Sequence, residues 1–263
     1  MEDDMRLRSW LLLIPLLVLT PLHAQSLQGD YVKVDYLNIE YEQEDRFLNQ
    51  TRVDWKTMQQ ERIENNEING WRLYRVKFPG SWNNEYTYVS VTSAESISAF
   101  ENSEISNSES SSITIRNPAN RPHNDIRHSE LWRVRNSVIK DENANPSLFM
   151  IKDYMDVPLG REYEYQMFED EIARPLHEDR MEMDRMNAWE VYELIIPGGI
   201  HYGYNFSTGN FFNHLEHIEF GFTDELIRAN HPDVNLMEFF QTIFATRDLV
   251  KSELWVLVDY LKE

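Results

Sequence analysis

The stretch FMIKDYMDV at residues 149–157 repeats YVKVDYLNI at residues 31–39, displaced by 118 positions, and the displacement holds without a gap as far as Phe206. Asp35-Tyr36 meets Asp153-Tyr154, Arg62 meets Arg180, Trp71 meets Trp189, Tyr74 meets Tyr192, and Tyr86 meets Tyr204. Near the end of each copy, Ser129-Glu130-Leu131-Trp132 returns as Ser252-Glu253-Leu254-Trp255, now 123 positions apart. Two copies of about 115 residues make a tandem duplication of an ordinary folding unit, far longer than the period of a solenoid.

Within each copy the pattern gives one order of elements. Residues 31–39 are apolar on both faces, as in a strand covered from two sides. Residues 45–66 carry Phe47, Thr51, Trp55 and Met58 on one helical stripe, and Asn69-Gly70 stops the helix. Residues 71–78 and 86–91 are strands, 102–128 are a Ser-, Glu- and Asn-rich exposed loop, and 131–139 are a last strand. The second copy predicts a strand at 149–157 and a helix at 162–186 with Tyr165, Phe168, Ile172, Leu176 and Met183 inward. Pro175 should kink or restart that helix. Strands at 189–196 and 202–207, helices at 211–218 and 234–250, and a strand at 254–260 complete the copy. Strand, helix, strand, strand, helical or irregular region, strand is the ferredoxin-like arrangement, which leaves one sheet face bare. A fused second copy covers that face, so the predicted fold is α+β. Two tandem ferredoxin-like repeats, 25–144 and 145–263, pack their sheets face to face as an intramolecular α+β barrel.

At this point the chain resembles the dimeric α+β barrel superfamily in tandem form. Asp153-Tyr154-Met155, Pro175-Leu176-His177, Glu178-Asp179-Arg180, Trp189-Glu190-Val191-Tyr192 and Ser252 to Trp255 resemble exported bacterial proteins of unknown function and, more distantly, NIPSNAP-like domains. The first copy departs from this pattern, with Thr57-Met58-Gln59 where the second has Pro175-Leu176-His177. The resemblance implies a pocket between sheet and helices and, by analogy with other such barrels, a cofactor-independent enzyme as one alternative.

The chain opening limits where the protein acts. Met5-Arg6-Leu7-Arg8 leads into an apolar run from Trp10 to Leu19, closed by Leu22-His23-Ala24. This is the order of a secretory signal, and the run is shorter than the roughly 20 residues a membrane span requires. Cleavage is expected after Ala24, with Met5 a candidate start, and the mature chain is expected to be periplasmic or extracellular and free of the membrane. Without residues 1–24 the chain holds 23 basic and 42 acidic residues, a net charge of −19. Such a surface repels nucleic acid and anionic lipid. Cysteine is absent, which excludes disulfides, thiolate metal sites and cysteine nucleophiles.

Chemistry-bearing motifs are few. There is no glycine-rich phosphate loop and no Gly-x-Ser-x-Gly elbow. His214 and His217 lie among Glu216 and Glu219 but lack the zincin pattern, so a solvated helix face is expected and no metal is assigned. Asp35 and Asp153, kept in both copies, are expected to pair structurally with Arg62 and Arg180. Features found in one copy only make better site candidates, here His177 and His201-Tyr202, and the expected cavity is lined by His177, by Arg180 three positions later on the same helix face, and by Tyr192. His177 is the candidate acid/base, because imidazole titrates near neutrality. The expected function is a non-catalytic small-molecule-binding or structural barrel without a cofactor, as a monomer or a dimer of such pseudo-dimers. The alternative is an enzyme acting on a small organic molecule through His177.

Overall fold

The computed structural model describes residues 30–80, 85–101 and 126–262. The expected signal at 1–24 and most of the Ser-rich loop at 102–128 lie outside the described residues. Among the described residues no helix is long and apolar enough to cross a membrane.

The first half contributes β1 (Tyr31–Leu37), α1 (Glu44–Gln50), α2 (Lys56–Glu64), β2 (Gly70–Phe78), β3 (Tyr88–Ala94) and β4 (Ile126–Ile139). The second contributes β5 (Phe149–Asp156), α3 (Glu162–Phe168), α4 (Arg174–Glu182), β6 (Ala188–Ile196), β7 (Phe206–Phe212), α5 (Asp224–Asn230), α6 (Leu236–Thr246) and β8 (Asp248–Lys262). The eight strands close a barrel in the order β1-β3-β2-β8-β5-β7-β6-β4. Two antiparallel seams join the halves: β2 with β8, where Gly70 faces Lys262, and β4 with β6, where Ile139 faces Ala188. The face-to-face expectation is therefore met by one closed α+β barrel with no free sheet edge.

Strand alternation sorts the core into an inside and an outside. On β1, Val32, Val34 and Tyr36 face the interior with Trp132 and Trp255, while Leu37 faces α1 with Phe47, Trp55 and Trp71. β6 divides likewise, with Tyr192 inside and Trp189 and Val191 under the helices. Trp71, Trp132, Trp189 and Trp255 are all fully buried. Each removes roughly 150–250 Å² from water, about 4–6 kcal/mol of gross apolar burial.

The repeated Ser-Glu-Leu-Trp motif now has a physical reading. Its serine lies opposite the shared aspartate in register, Ser129 against Asp35 and Ser252 against Asp153. Each serine hydroxyl donates to that aspartate. Its glutamate and tryptophan point inward. This corrects the expected Asp–Arg pairs: Asp35 also takes Lys33 at 3.1 Å, and Asp153 takes Asn210 at 3.2 Å. Arg62 turns instead to Glu67 and Gln59, and Arg180 lies over Phe212 and Phe222.

Both long helices contain a π turn at the equivalent place, Thr51–Trp55 between α1 and α2 and Glu169–Ala173 between α3 and α4. Only the second has a proline nearby, so Pro175 does not cause the irregularity. It occupies the first turn of α4, directly after the π turn, where its missing N–H costs little. The extra residue per turn rotates the inward stripe. Gln59 and Ile63 are buried in place of Met58, and His177, Arg180 and Met181 are buried while Met183 is exposed. Three further expectations move. The helix expected at 234–250 ends at Thr246, and β8 begins at Asp248; the strand expected at 202–207 lies at Phe206–Phe212 as β7, which takes the start of the helix expected at 211–218 and leaves only a short 3-10 turn at Leu215–Glu219. Ser207-Thr208-Gly209-Asn210 has the composition of a turn, yet both faces of this strand are covered. At Gly209 an added Cβ would lie 2.7 Å from Met150 Cε and 3.0 Å from the Phe211 ring, so these side chains pack directly against the bare glycine backbone.

Candidate functional site in the barrel interior

Where β1 and β5 end, Tyr36 and Tyr154 meet across the barrel with their hydroxyls 2.9 Å apart. Tyr36 donates to Glu130 at 2.6 Å, so the proton between the two phenols comes from Tyr154. The Glu130 carboxylate also accepts from Trp132 at 3.0 Å and from Tyr202 and Tyr204. Its counterpart Glu253 accepts from Tyr86 at 2.5 Å, Trp255 at 3.0 Å and Lys251 at 3.2 Å. His128 stacks on Tyr36 with ring centroids 4.2 Å apart. Burial above all, then the nearby glutamates, holds the phenols of Tyr36 and Tyr154 far above the ordinary tyrosine range, so they remain donors.

The halves carry different ionisable groups at three interior positions: Val34 against Lys152, Arg72 against Glu190, and His128 against Lys251. Lys152 is buried, and its ammonium lies 3.5 Å from the Tyr192 ring centroid and 5.0 Å from that of Trp132. Among the described residues it makes no hydrogen bond or ion pair. Desolvation lowers its pKa to about 7, against opposing attraction from Glu130, Glu190, Asp153 and Glu253. Tyr192 donates to Glu190, whose own pKa burial raises. Lys152, Val34, Tyr74, Met150, Phe211 and Trp255 line a cavity of about 10 Å³, room for one water-sized group. A wider cleft of about 70 Å³ opens where the linker crosses the barrel end, lined by Arg72, Lys140, Asp141, Asn145, Glu190 and Phe211. Phe211 borders both spaces.

The five residues singled out from sequence do not converge on one site. Tyr192 faces the interior, and Tyr202 reaches Glu130 there. His177 and Arg180 lie on the opposite side of β6, beneath the outer sheet face. His177 stacks on Trp189 at 4.9 Å and lies 5.0 Å from Phe222, with Arg180 Nη1 3.4 Å from its Nδ1. Burial and then the Arg180 charge push the His177 pKa well down, and His177 lines neither cavity above. His201 is exposed in the turn after β6. Among the described residues no three His, Asp or Glu side chains are placed to hold a metal, and His214 and His217 face each other at 5.1 Å. Sequence reasoning missed Glu130, Glu253 and Lys152. The signal for Lys152 was present: it breaks an aligned, otherwise apolar strand position.

Two buried groups set opposing pH dependences. Burial raises Glu169 from an ordinary 4.5 to about 7, so between those values the folded chain keeps a proton the unfolded chain has lost, and stability falls as pH rises. Lys152 is lowered from 10.5 to about 7, so between those values the unfolded chain binds the extra proton and stability rises with pH. Each limb is worth on the order of 3 kcal/mol. Urea unfolding of the chain and of one variant for each group at pH 5, 7 and 9 separates these two limbs from other buried groups, among them His177, whose lowered pKa opposes the Glu169 limb. Glu169→Gln should flatten the lower limb and Lys152→Met the upper; limbs unchanged in these variants would exclude the assignment.

No family model and no curated protein sequence matches the chain. Solved structures do match. A candidate monooxygenase from Lactobacillus acidophilus superposes with a TM-score of 0.56 at 8% identity, covering 89% of this chain and 97% of the other. A candidate monooxygenase from Fusobacterium nucleatum gives 0.54 at 10% identity, covering 90% and 95%. A chlorite dismutase variant from Candidatus Nitrospira defluvii gives 0.52 at 9% identity, covering 89% and 92%. At such identities the likeness establishes architecture, and the chain has the fold of the dimeric α+β barrel proteins, with both halves of the barrel in one polypeptide.

Proposed function

We propose that this chain is a small-molecule-binding α+β barrel whose ligand is neutral or cationic and enters the barrel interior from the cleft at the linker end. The observation that carries this reading is the set of buried ionisable groups, Lys152, Glu130, Glu190 and Glu253, in an interior walled by tyrosine and tryptophan. An aliphatic filling would close the barrel without the desolvation cost of these charges, so their presence favours a ligand-facing role. Three carboxylates facing Lys152 disfavour an anionic ligand. Two solved structures of this architecture are described as candidate monooxygenases, which supports a site in this fold by analogy only.

Native mass spectrometry of the chain purified from its own host tests the reading. The expected result is a retained organic molecule that is lost on denaturation and absent from a Lys152→Met, Glu190→Gln double variant. A chain that carries nothing, or carries it equally in the variant, would count against an interior site.

The second reading, a cofactor-independent enzyme, is favoured by one observation: burial lowers the Lys152 amine to about 7 and raises the Glu190 carboxyl within the same interior. In that case acid/base work falls to this pair. His177, packed between Trp189 and Phe222, lines neither of the two cavities described above.

A further inference from the structure

We infer that the cleft at the linker end of the barrel binds a small zwitterion, an α-amino acid with a short side chain, with its carboxylate at Arg72 and its ammonium at Glu190. The inference deepens the small-molecule reading above and rests on it. Arg72 and Glu190 occupy the same position in the two halves, 118 residues apart, and both line this cleft. Strand alternation turns both inward: Trp71 and Trp189 lie under the helices, and the next residue of each strand faces the interior. The shared backbone therefore brings one position from each half to one space, and the chain fills that position with opposite charges. A tyrosine two residues on holds each side chain, Tyr74 beside Arg72 and Tyr192 donating to Glu190. Arg72 also lies over the Phe211 ring, 5.9 Å from its centroid, and Glu190 is only 1% exposed.

The rest of the cleft fits such a ligand in size and polarity. Its volume of about 70 Å³ is room for about five water-sized groups, the bulk of glycine or alanine. Phe211 and Ala188 give it an apolar side that suits a methyl group. Its linker wall is fixed in place: Lys262 donates to the carbonyls of Asn143 and Ala144, each at 2.9 Å, and the Lys140 amide donates to the Asn187 carbonyl at 2.9 Å. A guanidinium offers a carboxylate two parallel N–H donors, and a carboxylate accepts from an ammonium. A ligand with both charges satisfies Arg72 and Glu190 at once and brings no net charge into the barrel. A simple anion would be repelled by Glu190 and a simple cation by Arg72. The neutral or cationic ligand of the broader reading is thereby narrowed to one that bears both charges.

Ligand binding to the full chain tests this, with glycine and L-alanine as probes and three analogues of alanine beside them. L-Alaninamide lacks the carboxylate, N-acetyl-L-alanine lacks the ammonium, and propionamide lacks both. Saturation-transfer NMR and isothermal titration should show glycine or alanine binding at millimolar concentrations, and each analogue at least about tenfold weaker, because a blocked end leaves a buried group of the cleft without its partner. Arg72→Gln and Glu190→Gln, each checked for native folding by circular dichroism, should each weaken the amino acid by a similar factor. If either variant fails to fold, the analogue series on the unaltered chain decides alone. Binding of neither amino acid, equal binding of any analogue, or unchanged binding in either folded variant would overturn the inference. If the host-purified chain retains a molecule while neither amino acid binds, the zwitterion is wrong and the binding reading stands; a chain that neither retains a molecule nor binds either amino acid removes both.

Discussion

Expressed apart, residues 25–144 and 145–263 should each fail to give a cooperative, soluble monomer. Separation breaks both seams, leaving β2 and β4 of one half and β6 and β8 of the other as long unpaired edges. It also opens the central core, in which Val32, Val34, Tyr36, Tyr74 and Trp132 of the first half pack with Met150, Tyr154, Tyr192 and Trp255 of the second. One fully buried tryptophan, Trp132 or Trp255, and two or more tyrosines would face water on each exposed interior. Gel filtration and urea unfolding of each fragment provide the check. Recovery of the barrel on mixing the fragments would agree with this account, whereas a fragment that unfolds cooperatively as a monomer would contradict it.

Glu130→Ala should cost about 3–5 kcal/mol, far more than Glu130→Gln, because buried donors left without an acceptor cost roughly 1–3 kcal/mol each. Tyr36, Trp132, Tyr202 and Tyr204 all donate to this one carboxylate. Glutamine keeps an acceptor oxygen in place and offers an amide that the phenolic oxygens can accept. The difference should appear as a drop in the urea midpoint with little change in slope for both variants. Equal losses in the two would mean that the side chain's volume, and not its hydrogen bonding, holds that end of the barrel together. Glu253→Ala removes the acceptor of Tyr86, Trp255 and Lys251 and should behave in the same direction.

What a sequence of this kind carries about a site depends on which comparison is made within it. Residues kept in both copies were read as scaffold, and for Trp71 and Trp189, which sit under the helices, that reading holds. Tyr36, Tyr154, Glu130 and Glu253 are kept as well, yet they converge on the interior and form the most extensive polar network among the described residues. Duplication conceals a central site in such a barrel, because a site near the pseudo-twofold axis takes the same residue from each half. His177 shows the reverse. Present in one copy only, it fills a slot between Trp189 on β6 and Phe222 in the loop before α5.

The sequence by itself determined the duplication, the order of strands and helices, and the need for one sheet face to cover another, since these follow from spacing and periodicity along the chain. Only the tertiary structure decided which tyrosines and glutamates meet. Tyr36 and Glu130 lie 94 positions apart and Tyr36 and Tyr154 lie 118 apart, and no local pattern encodes a contact across a closed barrel. It likewise decided that β7 is a strand in spite of its turn-like composition, because burial on two faces overrides local preference. And it decided that Lys152, a charge where the other half has Val34, points into a cavity, because strand alternation fixes the side and barrel closure fixes what lies on that side.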